Sequence, residues 1–538
     1  MVTILLHNLK AGLSDPAGDA LAAAEAKLRA NGLKAKSLSL TKRSVDARKQ
    51  DDICYICSVA ATLSSPPSPK KLKALGAVVL EETEIHPVQG SELPPKGADG
   101  KSLRPVVVGF GPAGMFAALL LAEEGYRPIV LERGDDVEER SRRVEEFLRS
   151  GKLSTDSNIQ FGAGGAGTFS DGKLITRIND AKCSWVLRRL VEFGADPDIL
   201  VNARPHIGSD RLPAIVDAIA RRIISLGGEI HYRTKLTAIG TGLRGEITSA
   251  VTDKGEIPTH AIILAIGHSA RDTYQWLIAR DYLIQPKAFS VGVRIEHLQE
   301  EINSALYGVS AHLLPPAEYN LSYRQGERGV YSFCMCPGGT VMASSSEEGG
   351  VVTNGMSNSA RDGRNSNSAL AVSVLPEDYG NDPLSAIAFQ RNLEQKAFLV
   401  GGSNYNAPLQ TVGDFLGGTH GSAPARILST YRGGDHYALC DLHDVLPAFV
   451  SGLLETGIRR FGGQIKGFDT PDALLTGVET RTSAPLRILR GDNREAPGHS
   501  GLYPCGEGAG YAGGITSAAI DGIGCALALM ARFAAGAL

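Results

Sequence analysis

Several classes of protein are excluded by what this 538-residue chain has little of. Its 8 cysteines are too few and too scattered for a disulfide scaffold, which suits a reducing cytosol. A net charge of −3 gives no overall pull towards nucleic acid or an anionic membrane, and neither is expected as a partner. No apolar stretch reaches the roughly 18 residues that span a bilayer. The first residues, Met1 to His7, lack a basic region followed by an apolar run and a cleavage site. The expected localisation is therefore cytoplasmic. No group of His, Cys, Asp and Glu has metal-ligand spacing and no Ser/His/Asp order stands out, so no metal is expected. The remainder, 43% hydrophobic and 21% charged, is an ordinary globular composition with length for about three domains. Glycine is plentiful, at 63 residues, as loops that press backbone against a ligand require.

Residues 1–90 read as a small separate domain. Strand Val2–Leu9 leads to helix Ala17–Ala30, which ends at Asn31-Gly32; Ala35–Leu40 and Ile53–Leu63 alternate apolar and polar residues as half-buried strands do. Helix Pro69–Leu75 stops at Gly76 and strand Ala77–Leu80 follows. That βαββαβ order predicts a ferredoxin-like α+β sandwich. A basic loop, Lys42–Lys49, joins the middle strands and would either touch phosphates or RNA or be a solvated surface. Cys54 and Cys57 spell C-x-x-C, but on a strand positions i and i+3 face opposite sides, so both are read as packing residues. The Pro- and Gly-rich stretch Val88–Arg104 is a linker, centred on residues 91–103.

The most informative segment begins at Val106. It reads as a strand, the turn Gly109-Phe-Gly111-Pro112-Ala113-Gly114, a helix, and a second strand Ile129-Val-Leu ending in Glu132-Arg133. Gly109 permits the tight turn, Gly111 a close approach of backbone to pyrophosphate, and Gly114 a close helix–strand packing. The helix N-terminus then points its free N–H groups at the phosphates, and Glu132 is placed to accept the adenosine ribose hydroxyls. The expectation is an α/β fold with a Rossmann-like FAD/NAD(P)-binding domain.

Two later segments select the dinucleotide. The apolar strand Ala261–Ile266, which includes Ala265, ends at Gly267-His268-Ser269, after Glu229–Tyr232 and Lys235–Ile239, which look like strands of the same sheet. The second segment runs from Gly501 through Gly506-Glu507 and Gly513-Gly514-Ile515-Thr516 into the apolar helix Ser517–Phe533. Glu507 is suited to hold a ribityl hydroxyl or bridge to the pyrophosphate. The helix start at Gly514–Thr516 suits the flavin edge where negative charge gathers on reduction. Only one complete fingerprint is present, and the expected cofactor is FAD. The expected cofactor-binding set also takes in Gly164, Gly165 and Gly167 from the glycine-rich loop Gly162–Gly172, together with Leu236.

The fingerprint, the Ala265-Ile-Gly267 strand end and the C-terminal Gly-Glu…Gly-Gly segment resemble the FAD domain of glutathione-reductase-like two-domain flavoproteins. More narrowly, Gln160–Leu174, Phe333–Gly339 and Gly355–Asp362 resemble the uncharacterised FAD-dependent dehydrogenase family, whose members also carry a small N-terminal domain. That resemblance covers nearly the whole chain; it implies a fold and a cofactor and leaves the substrate open. A disulfide reductase of the pyridine-nucleotide type would need a second fingerprint and a cysteine pair after the first helix, where only Cys183 stands.

Candidate chemistry lies around the flavin. Asp171 and Lys173 would bind a polar substrate or pair with each other. Cys334 and Cys336, two apart on a strand, would present both thiols on one face, either beside the flavin or packed in the core. Arg361 resembles a carboxylate clamp, with an internal ion pair as the alternative. His268, His420 and His436 are available proton donors without a local feature that selects one.

The expected arrangement is residues 1–90 as N-terminal domain, 104–275 and 490–538 as a split FAD domain, and 276–489 as an inserted mixed β-sheet substrate domain. The expected activity is an FAD-dependent oxidoreductase acting on a small polar substrate, with NAD(P)H or another external donor. Two other readings are a flavin-dependent RNA-modifying enzyme and a non-catalytic flavin-binding redox module.

Overall fold

In the computed structural model, residues 1–80, 84–176, 178 and 180–536 are described. A parallel sheet of five strands orders Leu502–Pro504, Ile262–Leu264, Val106–Val108, Ile129–Leu131 and Glu229–His231. Its apolar strands are covered on both faces, as parallel sheets require. Val107 and Ile263 face a helical layer that includes Pro112–Glu123, Leu212–Ser225 and Ile515–Arg532. Val106, Val108, Ile262 and Leu264 face the other way, onto Leu236, Ile239, Ile247 and Ala250.

Those last residues belong to a separate antiparallel sheet of Leu236–Thr241, Ile247–Thr252 and Gly255–Pro258. The expected placement of Lys235–Ile239 in the parallel sheet is thus corrected, while Glu229–His231 does join it. Alternation of apolar residues marks a half-buried strand but does not say which sheet it enters.

Helix Ile515–Arg532 corrects another expectation, for by length and composition it would cross a bilayer. Here it is a core helix laid on Pro112–Glu123. The approach is so close that a Cβ on Gly522 would sit 2.0 Å from the Ala113 carbonyl oxygen.

Residues from Phe289 to Glu479 build a seven-stranded sheet, ordered Ser322–Gln325, Arg328–Cys336, Asn365–Val374, Phe289–Leu298, Leu474–Glu479, Ala407–Thr411 and Tyr437–Leu439. Its neighbours are antiparallel apart from the last pair. It is a mixed sheet, and it faces the carboxyl ends of the parallel strands.

At the N-terminus, Ala35–Asp46, Cys54–Leu63, Val2–Ala11 and Ala77–Val79 form an antiparallel sheet in that order, with helices Pro16–Ala30 and Pro69–Leu75. Five of the eight residues of the anticipated basic loop are strand: Lys42 pairs with Ser58 and Arg43 with Cys57, and the pairing runs on to Asp46. Arg43 also donates 2.8 Å to Asn202 and pairs with Asp198, and Arg48 pairs with Asp46. Two of the basic side chains therefore already have partners within the chain. Cys54 and Cys57 are both buried.

Candidate functional site

A cavity of about 330 Å³ lies where the carboxyl ends of the parallel strands meet the seven-stranded sheet. Ligands of open α/β sheets bind at such strand ends. Its floor is mostly backbone. Gly109 has φ +93°, and a Cβ there would lie 2.3 Å from the Ala265 carbonyl oxygen. A Cβ on Gly165 would lie 2.8 Å from the Gly111 Cα, so the Gly162–Gly172 loop rests directly on the fingerprint turn. Pro112, Ala113, Gly167, Leu236, Ala265, Gly267, Ile515 and Arg133 also line the cavity, and Arg133 stacks on Phe161 at 4.4 Å. A Cβ built on Gly513 would have no protein atom within 4 Å, leaving free space over the start of the last helix.

Glu132 borders the cavity and has a second task. Its carboxylate accepts the N–H groups of Phe110 at 2.8 Å, Gly134 at 2.9 Å and Gly162 at 3.0 Å. One side chain thus ties the fingerprint turn to the glycine loop. Four residues expected at the cofactor do not line the cavity. Gly114 and Gly164 are packing glycines, where a Cβ would lie 1.9 Å from the Gly109 oxygen and 2.0 Å from Thr168 Oγ1 respectively. Gly506 donates its N–H to Asp521 at 2.8 Å, and Thr516 donates its hydroxyl to the Leu174 carbonyl at 2.8 Å. They shape the floor from behind.

Sequence reasoning missed Arg140. It is wholly buried on helix Val137–Ser150, and its guanidinium donates to the carbonyls of Asn158, Ile159, Gly162, Ala163 and Gly165. Among the described residues no carboxylate pairs with it, and burial pulls its pKa down to about 10. Nothing local marks it, because the helix is rich in Arg and Glu throughout.

The roof is made of polar side chains: Cys334, Asn354, Glu479, Arg481 and Thr482 line it beside Phe333. Buried Arg294 organises them, donating 2.9 Å each to Glu479 Oε2, Asn354 Oδ1 and the Cys334 carbonyl. Arg481 is held by Glu394 at 2.9 Å. The expected pair of thiols on one strand face is corrected here. Cys334 has φ +47° and the register with Asn365–Val374 slips between Phe333 and Cys336. Cys334 consequently lines the cavity, while Cys336 is fully buried behind it.

Asp171 and Lys173, both lining the cavity, pair at 3.1 Å. Burial alone would raise the Asp171 carboxyl, but the Lys173 and Arg361 charges overcome it and hold it low. Arg361 corrects the clamp reading. Its guanidinium is occupied by Asp171 (Nε–Oδ1 3.0 Å) and by Glu318, and it does not line the cavity. His268 lines the cavity but is neutral, since burial and then the Arg481 and Arg271 charges push it down to about 3. His420 and His436 are elsewhere. Glu507 projects into the cavity without a side-chain hydrogen bond among the described residues, and burial pushes its carboxyl up to about 7.

Cys505, Asp521 and Cys525 come together with their ligand atoms within 4.8 Å, a cluster that linear spacing did not suggest. Arg490 and Arg494 donate to Asp521 at 2.6 and 2.7 Å, so guanidinium groups already neutralise the carboxylate where a metal cation would sit.

Glycines leaving free space, helix N–H groups and an unpartnered carboxyl suit a flavin dinucleotide. A family described as FAD-dependent protein, C-terminal domain-like, matches residues 288–482, and FAD is the cofactor. An uncharacterised protein of Clostridium beijerinckii (strain ATCC 51743 / NCIMB 8052) is 46% identical over 501 residues, 92% of each chain. Among solved structures, CtdE in complex with FAD is 12% identical, covering 79% of this chain and 84% of that one, with a TM-score of 0.33. A glycine oxidase from Bacillus cereus ATCC 14579 is 10% identical, covering 80% and 98%, with a TM-score of 0.35.

Proposed function

The chain belongs to the family of FAD-dependent proteins that it shares with the Clostridium beijerinckii protein, and from that premise we propose that it is an oxidoreductase. It passes a hydride or electron pair between FAD and a small polar substrate, with NAD(P)H or another external donor as partner. The observation that carries this reading is a single cavity lined at once by the fingerprint turn, Glu507 and Gly513–Ile515, and a roof of Cys, Asn, Glu and Arg side chains. The first two hold a cofactor; the third gives a polar surface for a reactant.

FAD supplies the redox chemistry when bound. Gly109, Gly111 and Glu132 hold the adenosine-diphosphate half in this reading, and Gly165, Gly167, Gly513 and Gly514 the flavin half. Lys173, held charged by Asp171 and Glu318, offers a cation at the substrate side. Neutral His268 accepts or donates one hydrogen bond without adding charge.

The proposed architecture is a glutathione-reductase-like, Rossmann-type FAD domain from 104–275 and 490–538, a substrate domain of 276–489, and a ferredoxin-like domain of 1–90. The strand order of each sheet supports that division. The eight free thiols fit a reducing cytosol.

Anaerobic mixing of the purified protein with NADH, NADPH and a panel of small metabolites tests the function. Bleaching of the flavin by one donor and its selective return with one acceptor is the expected result. Protein that neither carries nor takes up FAD, or FAD that no donor reduces, overturns it.

A further inference from the structure

Opposite the glycine floor, the cavity wall carries the Cys334 thiol, and Cys336, two residues on, is buried behind it. In a straight strand their Cα atoms would be about 6.7 Å apart, near the upper limit that a disulfide bridges. The strand is not straight here: φ of +47° at Cys334 and the slipped register bend it. The Cys336 thiol donates to the Cys334 carbonyl oxygen at 3.2 Å, which folds it back towards residue 334. Cys334 faces the cavity together with Lys173, and buried Arg294 grips its carbonyl at 2.9 Å. One thiol is presented and the other waits behind it.

Resting on the oxidoreductase reading, we propose that Cys334 and Cys336 form a dithiol–disulfide couple that carries the electron pair between FAD and a small disulfide substrate. The neighbouring Cys336 thiol and the Arg294 and Lys173 charges hold the Cys334 thiol below its ordinary range despite burial. A thiolate is the form that attacks. Cys334 attacks one substrate sulfur; the substrate S–S bond breaks, a mixed disulfide forms and the first thiol leaves. Cys336 attacks the Cys334 sulfur and gives its proton to the second departing thiol, leaving a Cys334–Cys336 disulfide. Reopening that bond takes two electrons and two protons, drawn from two-electron-reduced FAD, which an external hydride donor regenerates.

The test uses anaerobic holoenzyme, reduced with dithiothreitol, desalted and exposed to oxidised glutathione before acid quenching, alkylation and peptide mass analysis. Wild type is expected to lose alkylation at Cys334 and Cys336 together, the single peptide that carries both being lighter by two hydrogens than its reduced form, and to regain both after photoreduction of the flavin. Cys336→Ser is expected to stop with glutathione on Cys334. Wild-type thiols that stay alkylatable, or a bond that stays closed after the flavin is reduced, overturn the couple whether or not the variant folds. Flavin absorbance in the same samples separates the readings. FAD reduced by a donor beside inert thiols sinks only the couple; closing thiols beside FAD that no donor reduces sink the oxidoreductase reading.

Discussion

Where the parallel sheet meets the cavity, the wall is glycine backbone; where the seven-stranded sheet meets it, the wall is charged and thiol side chains. The contrast extends to their buried arginines. Arg140 beneath the floor donates its hydrogen bonds to backbone carbonyls and lies over the Phe169 ring, whereas Arg361 and Arg294 behind the roof bind carboxylates and amides. A wall of backbone can hug a cofactor shared by many proteins. A wall of side chains can be varied to select a reactant.

The largest break in that contrast comes from its arginines. Arg361→Leu leaves Asp171, wholly buried, without its bidentate partner and should destabilise by about 3–5 kcal/mol. Arg140→Leu leaves carbonyls without donors and should destabilise by on the order of 3 kcal/mol. Urea unfolding measures both; equal and negligible losses would erase the distinction. Next, Gly109→Val places a branched side chain against the Ala265 carbonyl at a positive φ. It should weaken FAD binding by about 100-fold, or ~2.7 kcal/mol, in a flavin titration, and lower the urea midpoint as the Ala265 strand end shifts. Cys334→Ser changes only the roof and should keep the FAD dissociation constant within about threefold while halting electron transfer to a disulfide.

The smallest effect is at Glu507. Its unfolded carboxyl ionises near 4.5 and the folded one near 7, so folding takes up a proton between these values. Stability of the FAD-free protein from this group therefore falls as pH rises through that window. Glu507→Gln should flatten that slope, read as the shift in urea midpoint between pH 5 and pH 8. An identical slope in the variant would show that the carboxyl is solvated.

Legibility divides along the same line. The floor was readable because each of its demands is local: a turn that needs Gly109, a close approach at Gly111, a packing contact at Gly114, an acid at the next strand's end. The helix stop at Gly76, φ +55°, is of the same kind. The roof was only half readable. Cys334, Cys336, Asp171, Lys173 and Arg361 stood out as residue types, but spacing gave neither the bend that turns Cys334 to the cavity with Cys336 behind it nor Glu318 as a partner of Arg361. Arg140, Arg294 and the Cys505–Asp521–Cys525 cluster were invisible, since each joins segments remote in the chain.

The sequence by itself determined the dinucleotide turn, the order of strands and helices that serves it, and the glycines without which backbone could not approach a ligand. Those features act over a few residues, where sterics and hydrogen bonding leave one conformation open. Tertiary structure alone decided which charges are spent on one another, which thiol faces the cavity, and that an apolar helix long enough for a membrane is a core helix instead. Burial sets those outcomes, because a charge or a helix face takes whatever partner the packed chain brings to it.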